Sequence, residues 1–292
     1  MDMNRKHIQM TQLLACTDGS RYADSVCHYV SWFSNKLSVG ADLLHVLRRH
    51  SDYESASNLS GAIGLGARSE LLEELTRVDE ERGKLDQEKG KLILKHAQSV
   101  IEEAGVSPVN TLHRRGSLVK VIQELEERYE MVFIGKRGEH ANMGSTILGS
   151  NLEKVARGVS KPLFLASETI RPLKKILLAY DGKSSTLKAI DFFVKHSAFN
   201  ELECHLISVD SSGDIDLSGP EDQLKQAGYS VSAQSIQSDA SVESVISSYV
   251  SEHEIDLLAI GAYSHSPLRQ FLLGSTTASL IVQCHIPLLL FR

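Results

Sequence analysis

The sequence predicts an α/β fold with parallel sheets, built twice in tandem. Three observations carry this. Short apolar segments alternate with amphipathic helical ones, and strand–helix–strand order at such spacing implies right-handed crossovers and a parallel sheet. The same order of segments occurs twice along the 292 residues. In each copy an apolar strand runs straight into glycine, with a second glycine opening a helical pattern further on. These stretches are Ile134-Gly135-Lys136-Arg137-Gly138 with Gly149-Ser150-Asn151, and Ile260-Gly261-Ala262-Tyr263-Ser264 with Gly274-Ser275-Thr276.

Taken in order, Leu13 to Thr17 reads as a first strand ended by Asp18-Gly19-Ser20. Tyr22, Ala23, Val26, Tyr29, Val30 and Phe33 then recur at helical spacing. Asp42 to Leu47 is a second strand, and His50 to Gly66 a loop. From Ala67 to Ala104 runs a long, highly charged helix. Leu71, Leu75, Val78, Leu85 and Leu92 follow the spacing of a heptad seam, interrupted by Arg82 and Lys89 and weakened by Gly83 and Gly90. Two readings of it stay open: a helix lying on the sheet with a charged solvent face, or a coiled-coil arm for a partner. Val109 to Arg114 is a third strand, Leu118 to Leu125 a helix, and Met131 to Ile134 the strand that delivers Gly135. A helical run then leads to Pro162 and the strand Leu163–Leu165, and 167–173 reads as a linker.

The order restarts at Lys175. Asp181 lies 163 residues after Asp18, whereas Gly261 lies only 126 after Gly135, and Gly274 and Pro287 lie 125 after Gly149 and Pro162. The second copy has therefore lost 37 residues between its second and fourth strands, where the long charged helix has shrunk to 211–227. The expected domains are residues 1–168, carrying the 67–104 insertion, and 173–292.

Composition narrows the function. A net charge of −6 and a pI near 6.1 argue against a general nucleic-acid binder. Cys16, Cys27, Cys204 and Cys284 form no CxxC pair or metal-ligand spacing and read as buried free thiols. The N-terminus is polar, without a signal-peptide pattern, and no apolar run approaches the roughly 18 residues a membrane span needs. A reducing, cytoplasmic setting is expected. His45 and His205 fall within strands and read as satisfied structural residues. Gly182-Lys183-Ser184 imitates a P-loop but has Leu177 where the first glycine belongs, and Ser264-His265 lies in no hydrolase elbow.

A strand followed by glycine and a helix start can cradle phosphate, because helix N-termini offer unpaired N–H groups and a positive dipole end. A strand ending in Asp-Gly, then Gly-x2-Gly, then Gly-Ser about ten residues on, then Pro before an apolar strand, resembles the universal stress protein family. The likeness spans nearly the whole chain as a tandem pair. It implies two Rossmann-like domains, each with a five-stranded parallel sheet flanked by helices, and last strands that pair with each other where Phe164 and Leu289 lie. It also implies ATP, alone or with Mg2+, in the branch marked by Gly-x2-Gly-x9-Gly-Ser/Thr. The first copy has both glycines but ten residues before Gly149; the second has nine before Gly274 but Ser264 in place of the second glycine.

Carried onto this sequence, the resemblance sets Asp18 and Asp181, with Thr17 beside the first, against adenine. Ala15 and Ala179 lie behind the ring, and Val46 and Val209 touch it. Gly135, Gly138, Gly149, Ser150 and Asn151 hold phosphate in one domain, and Gly261, Ser264, Gly274, Ser275 and Thr276 in the other. Lys136, Arg137 and Arg269 are candidate phosphate partners, and each Asp has an alternative role as a turn or cap residue. The function expected is a stress-response or regulatory protein with an adenine nucleotide as conformational ligand, an unidentified protein partner and no catalytic residue. It is expected as an internal pseudo-dimer, alone or as a homodimer. Two alternatives stand beside it. One is a nucleotide-free scaffold. The other is an adenylate-forming enzyme, which would show an HxGH-type or Ser-Gly-Gly-type loop where Asp18-Gly19-Ser20 stands.

Overall fold

The computed structural model describes residues 12–47, 65–138, 150–211, 215–262 and 275–292. Its first half runs β1 (Gln12–Cys16), α1 (Ala23–Leu37), β2 (Ala41–Leu47), α2 (Leu65–Glu103), β3 (Val109–Arg115), α3 (Leu118–Leu125), β4 (Tyr129–Gly135), α4 (Ser150–Gly158) and β5 (Leu163–Ala166). The second half repeats the order: β6 (Lys175–Ala179), α5 (Ser184–Lys195), β7 (Glu203–Asp210), α6 (Ser218–Gln226), β8 (Ser230–Gln237), α7 (Val242–Glu252), β9 (Leu257–Gly261), α8 (Ser275–Gln283) and β10 (Leu288–Phe291).

All ten strands join one sheet, ordered β3-β2-β1-β4-β5-β10-β9-β6-β7-β8. Pairing is parallel within each half. It is antiparallel only at the seam, where Phe164 faces Leu289 as the resemblance implied. The composition of these two strands explains the seam. Leu163–Ala166 and Leu288–Phe291 are buried throughout, so left as open edges they would expose apolar side chains and unpaired backbone N–H and C=O groups to any passing strand. Pairing them closes both edges at once.

Two apolar layers cover the sheet. One gathers residues of α1, α2, α5 and α6, the other those of α3, α4, α7 and α8. The first layer is continuous across the seam. Trp32 stacks on Phe199 at 5.5 Å between ring centres, and Phe33 lies 5.1 Å from Phe199 and 5.3 Å from Phe164. Between the halves, the Tyr29 hydroxyl accepts from Arg171 N and donates to Arg171 O.

The seam of α2 does not face the sheet. Leu94, Ala97 and Ile101 are the α2 residues packed into the core, while Leu85 and Leu92 are 69% and 68% exposed. Gly90 is more than a weak spot in that helix. A Cβ there would meet His113 Nε2 at 2.6 Å and His45 Cδ2 at 2.8 Å, so glycine lets α2 settle onto two histidine rings. His45 and His205 are satisfied, His45 Nδ1 by Thr17 O at 2.8 Å and His205 by Tyr249 and Glu203, whereas His113 Nε2 is buried with no hydrogen-bond partner among the described residues. All four cysteines are buried and free, and burial pushes the Cys16, Cys27 and Cys204 thiols up to about 12.

Candidate functional site

In each half the strand order reverses direction between the first and fourth strands, β1/β4 and β6/β9. Loops leaving such a pair at their carboxyl ends diverge to opposite faces and leave a crevice, the usual ligand position in open α/β sheets. Asp18 and Asp181 follow β1 and β6; Gly135 and Gly261 end β4 and β9. Both candidate sites therefore sit at a switch point.

In the first half the two rims touch. A Cβ at Gly138 would stand 3.0 Å from Asp18 Oδ2, so the carboxylate lies directly against the loop that leaves β4. Asp18 Oδ1 accepts from Ser20 N at 3.0 Å, and Thr17 Oγ1 from Gly19 N at 3.4 Å. Thr17 is itself fixed by its N–H on Leu44 O. Gly19 has φ +72°, in the left-handed region glycine favours, and a Cβ there would strike Ile93 of α2 at 2.7 Å. The insertion helix thus closes over the β1 turn. A Cβ on the equivalent Gly182, φ +74°, would meet no atom of the described residues within 4 Å.

In the second half Asp181 is engaged differently. Its carboxylate accepts from Lys183 N at 3.0 Å, Lys183 Nζ at 2.7 Å and Thr186 Oγ1 at 3.0 Å. Burial pushes this carboxyl up, but the bonds from Lys183 and Thr186 outweigh it and hold it below the ordinary aspartate range. Both aspartates do serve their turns, as the alternative reading had it.

The first glycine of each loop is a packing residue. A Cβ on Gly135 would lie 2.6 Å from Tyr22 Cβ, and one on Gly261 2.4 Å from Ser185 Oγ. Tyr22 and Ser185 occupy equivalent places, so each glycine admits the start of the helix after the first strand. Neither Gly135, Gly138 nor Gly261 has positive φ.

Three expectations need correcting. Lys136 does not face phosphate. It is buried, and Nζ donates to Cys284 O at 2.7 Å and Ile286 O at 2.6 Å, just past the end of α8 in the other half. Burial pushes its ammonium down to about 7. Ala15 and Ala179 are not equivalent: Ala15 packs in the α1/α2 layer and Ala179 against the opposite one, with Val46 and Val209. The counterpart of Ala179 is Cys16, since a one-residue shift along a strand exchanges faces. The seam of α2 is solvent-facing, as described above.

Ser150 and Asn151 open α4, and Ser275 and Thr276 open α8, so both expected helix starts exist. Gly149, Ser264, Gly274 and Arg269 lie outside the described residues. Lys136, Ile93, Lys183 and Thr186 were not anticipated in the roles they play. Among the described residues no group of three or more His, Cys, Asp and Glu could hold a metal ion. No described helix is long and apolar enough to cross a membrane. A cavity of about 570 Å³ lined by Arg171, Lys175, Ser247, Asp256 and His285 lies at the opposite end of β6 from Asp181.

The model of the universal stress protein family matches residues 10–166 and 172–292. The universal stress protein Slr1230 of Synechocystis sp. is 34% identical over 290 residues, covering 97% of this chain and all of that one. Among solved structures, a universal stress protein from Archaeoglobus fulgidus aligns over 97% of this chain and 99% of its own, with TM-score 0.73 and 22% identity. The Pseudomonas aeruginosa protein PA1789 covers 97% and 92% of the two chains at TM-score 0.59 and 16% identity.

Proposed function

Because the chain belongs to the universal stress protein family, we propose that it is a cytoplasmic regulatory protein of the stress response that holds ATP, or another adenine nucleotide, as a conformational ligand. The observation that carries this reading is the meeting of Asp18 Oδ2 with Gly138 at a switch point. Adenine would lie by Asp18, Thr17 and Val46, over the end of β1 that Ala15 backs. Phosphates would lie along Gly135, Gly138 and Gly149 toward Ser150 and Asn151 at the start of α4, where N–H groups and the dipole favour anions. Mg2+ would neutralise phosphate charge when present. The corresponding second site comprises Ala179, Asp181, Val209, Gly261, Ser264, Gly274, Ser275 and Thr276. There Asp181 already accepts from Lys183 N, Lys183 Nζ and Thr186 Oγ1, so a base would share its remaining lone pairs with these donors.

The nucleotide acts in this reading as a ligand that biases conformation or partner choice, not as a substrate in rapid turnover. Asp18 accepts the adenine amino group, so ATP should bind more tightly than GTP to the intact chain. Isothermal titration calorimetry tests this, and equal affinities would overturn the base assignment.

A further inference from the structure

We propose that α2 is a self-association surface, through which two copies of this chain pair antiparallel as a short coiled coil. The inference stands independently of nucleotide binding. Helix α2 has 39 residues, about 58 Å at 1.5 Å per residue, whereas the seven-residue strands beneath it span about 23 Å. Among its described side chains only the last part is covered: Gly90, Leu94, Ala97 and Ile101 are buried, and no residue from Glu74 to Lys89 is. The helix is an arm that outreaches its domain.

That arm carries an apolar stripe it does not use. Six large hydrophobic residues are exposed among the described ones, and three of them, Leu75, Leu85 and Leu92, lie on this one helix. With Leu71 and Val78 they follow alternating steps of four and three residues, the spacing of a left-handed two-stranded seam. The interrupting positions are Arg82 and Lys89. Glu81 and Glu88 flank the stripe on one side and Asp79 and Asp86 on the other. One helix therefore supplies both the basic seam positions and the acidic flanks that would meet them, which makes its best complement a second copy of itself.

The orientation follows from the same residues. A parallel pair would set Arg82 on the partner's Arg82 and Lys89 on the partner's Lys89. An antiparallel pair centred between Arg82 and Leu85 sets Leu75 against the partner's Leu92, Val78 against the partner's Lys89, and Arg82 against the partner's Leu85. Each layer then holds an aliphatic side chain, and the long basic stems can lie across it with their charges outward. It also places the two globular bodies at opposite ends.

Sedimentation velocity of the intact protein across micromolar concentrations should show a reversible dimer. Leu75→Glu with Leu85→Glu should weaken association at least about 100-fold, with the thermal melt of the chain unchanged. For orientation, Leu75→Cys and Leu92→Cys proteins mixed under mild oxidation should cross-link to each other and not to themselves. A monomer at all concentrations, or a dimer that survives the double substitution, overturns the proposal. Self-linking of Leu75→Cys and of Leu92→Cys overturns the antiparallel arrangement.

Discussion

At the scale of single residues, Lys136 shows how the first half is tied to the second. Its Nζ bridges two carbonyls beyond the end of α8, and its own N–H holds Ala166 O. The loop that leaves β4 toward the candidate site is thereby fixed to the opposite half. Burial depresses the ammonium to about 7, against about 10.4 in an unfolded chain. Between these values the unfolded chain binds more protons, so this group's share of stability is complete above the unfolded value and is lost as pH falls through about 7. Lys136→Met removes that dependence and leaves two carbonyls unpaired. Urea denaturation at pH 7, 8 and 9 should show wild type gaining on the variant by the order of 1 kcal/mol per pH unit. Parallel stability curves would contradict the buried-ammonium account. Nothing local to Lys136 announces this role: Ala262 stands in the equivalent place, and the carbonyls that Lys136 meets lie about 150 residues away.

At the scale of elements, the two glycine loops were legible as a repeated pattern, but the reason for each glycine was not. Gly135 and Gly261 are explained by Tyr22 and Ser185, which contact them across the sheet and are far off in sequence. Gly138 is explained by Asp18. A side chain at 138 must displace the carboxylate that the proposed site uses, whereas the extra residue before Gly149 lengthens a loop, and closure depends only logarithmically on length. We therefore expect the first site to bind ATP more tightly than the second. Gly138→Val should lower affinity about tenfold, because its branched side chain must push the Asp18 carboxylate aside, and Gly274→Val should lower it less. Calorimetry on both variants decides it, and a larger loss at Gly274 would reverse the ranking of the sites. The helix 67–104 was legible in extent, within two residues of Leu65–Glu103, but not in orientation. Its heptad leucines gave the stronger periodic signal, yet Leu94, Ala97 and Ile101 are the residues that pack, because Gly90 allows contact with His45 and His113 on that side only.

At the scale of the whole molecule, the duplication dictates the architecture. Each half repeats the same strand order and ends in a short all-apolar strand, and joining those two strands gives one ten-stranded sheet whose candidate sites, at the interior pairs β1/β4 and β6/β9, open toward opposite ends of the strands. The duplication could be read from offsets, and the pairing of Phe164 with Leu289 was implied by the family resemblance. The inequality of the halves could be read only in part. The missing 37 residues announce that α2 belongs to the first half alone, but not that its Ile93 covers the β1 turn or that Lys183 occupies Asp181 in the second half. The proposed function ranks the first half as the tighter nucleotide site, because Gly138 there meets Asp18. The most direct test is photolabelling of the intact protein with an azido-adenine analogue of ATP, followed by peptide mass spectrometry. The account predicts label, displaced by ATP, on the peptide that contains Thr17–Tyr22. Label confined to the second half, or label that ATP does not displace, would contradict it.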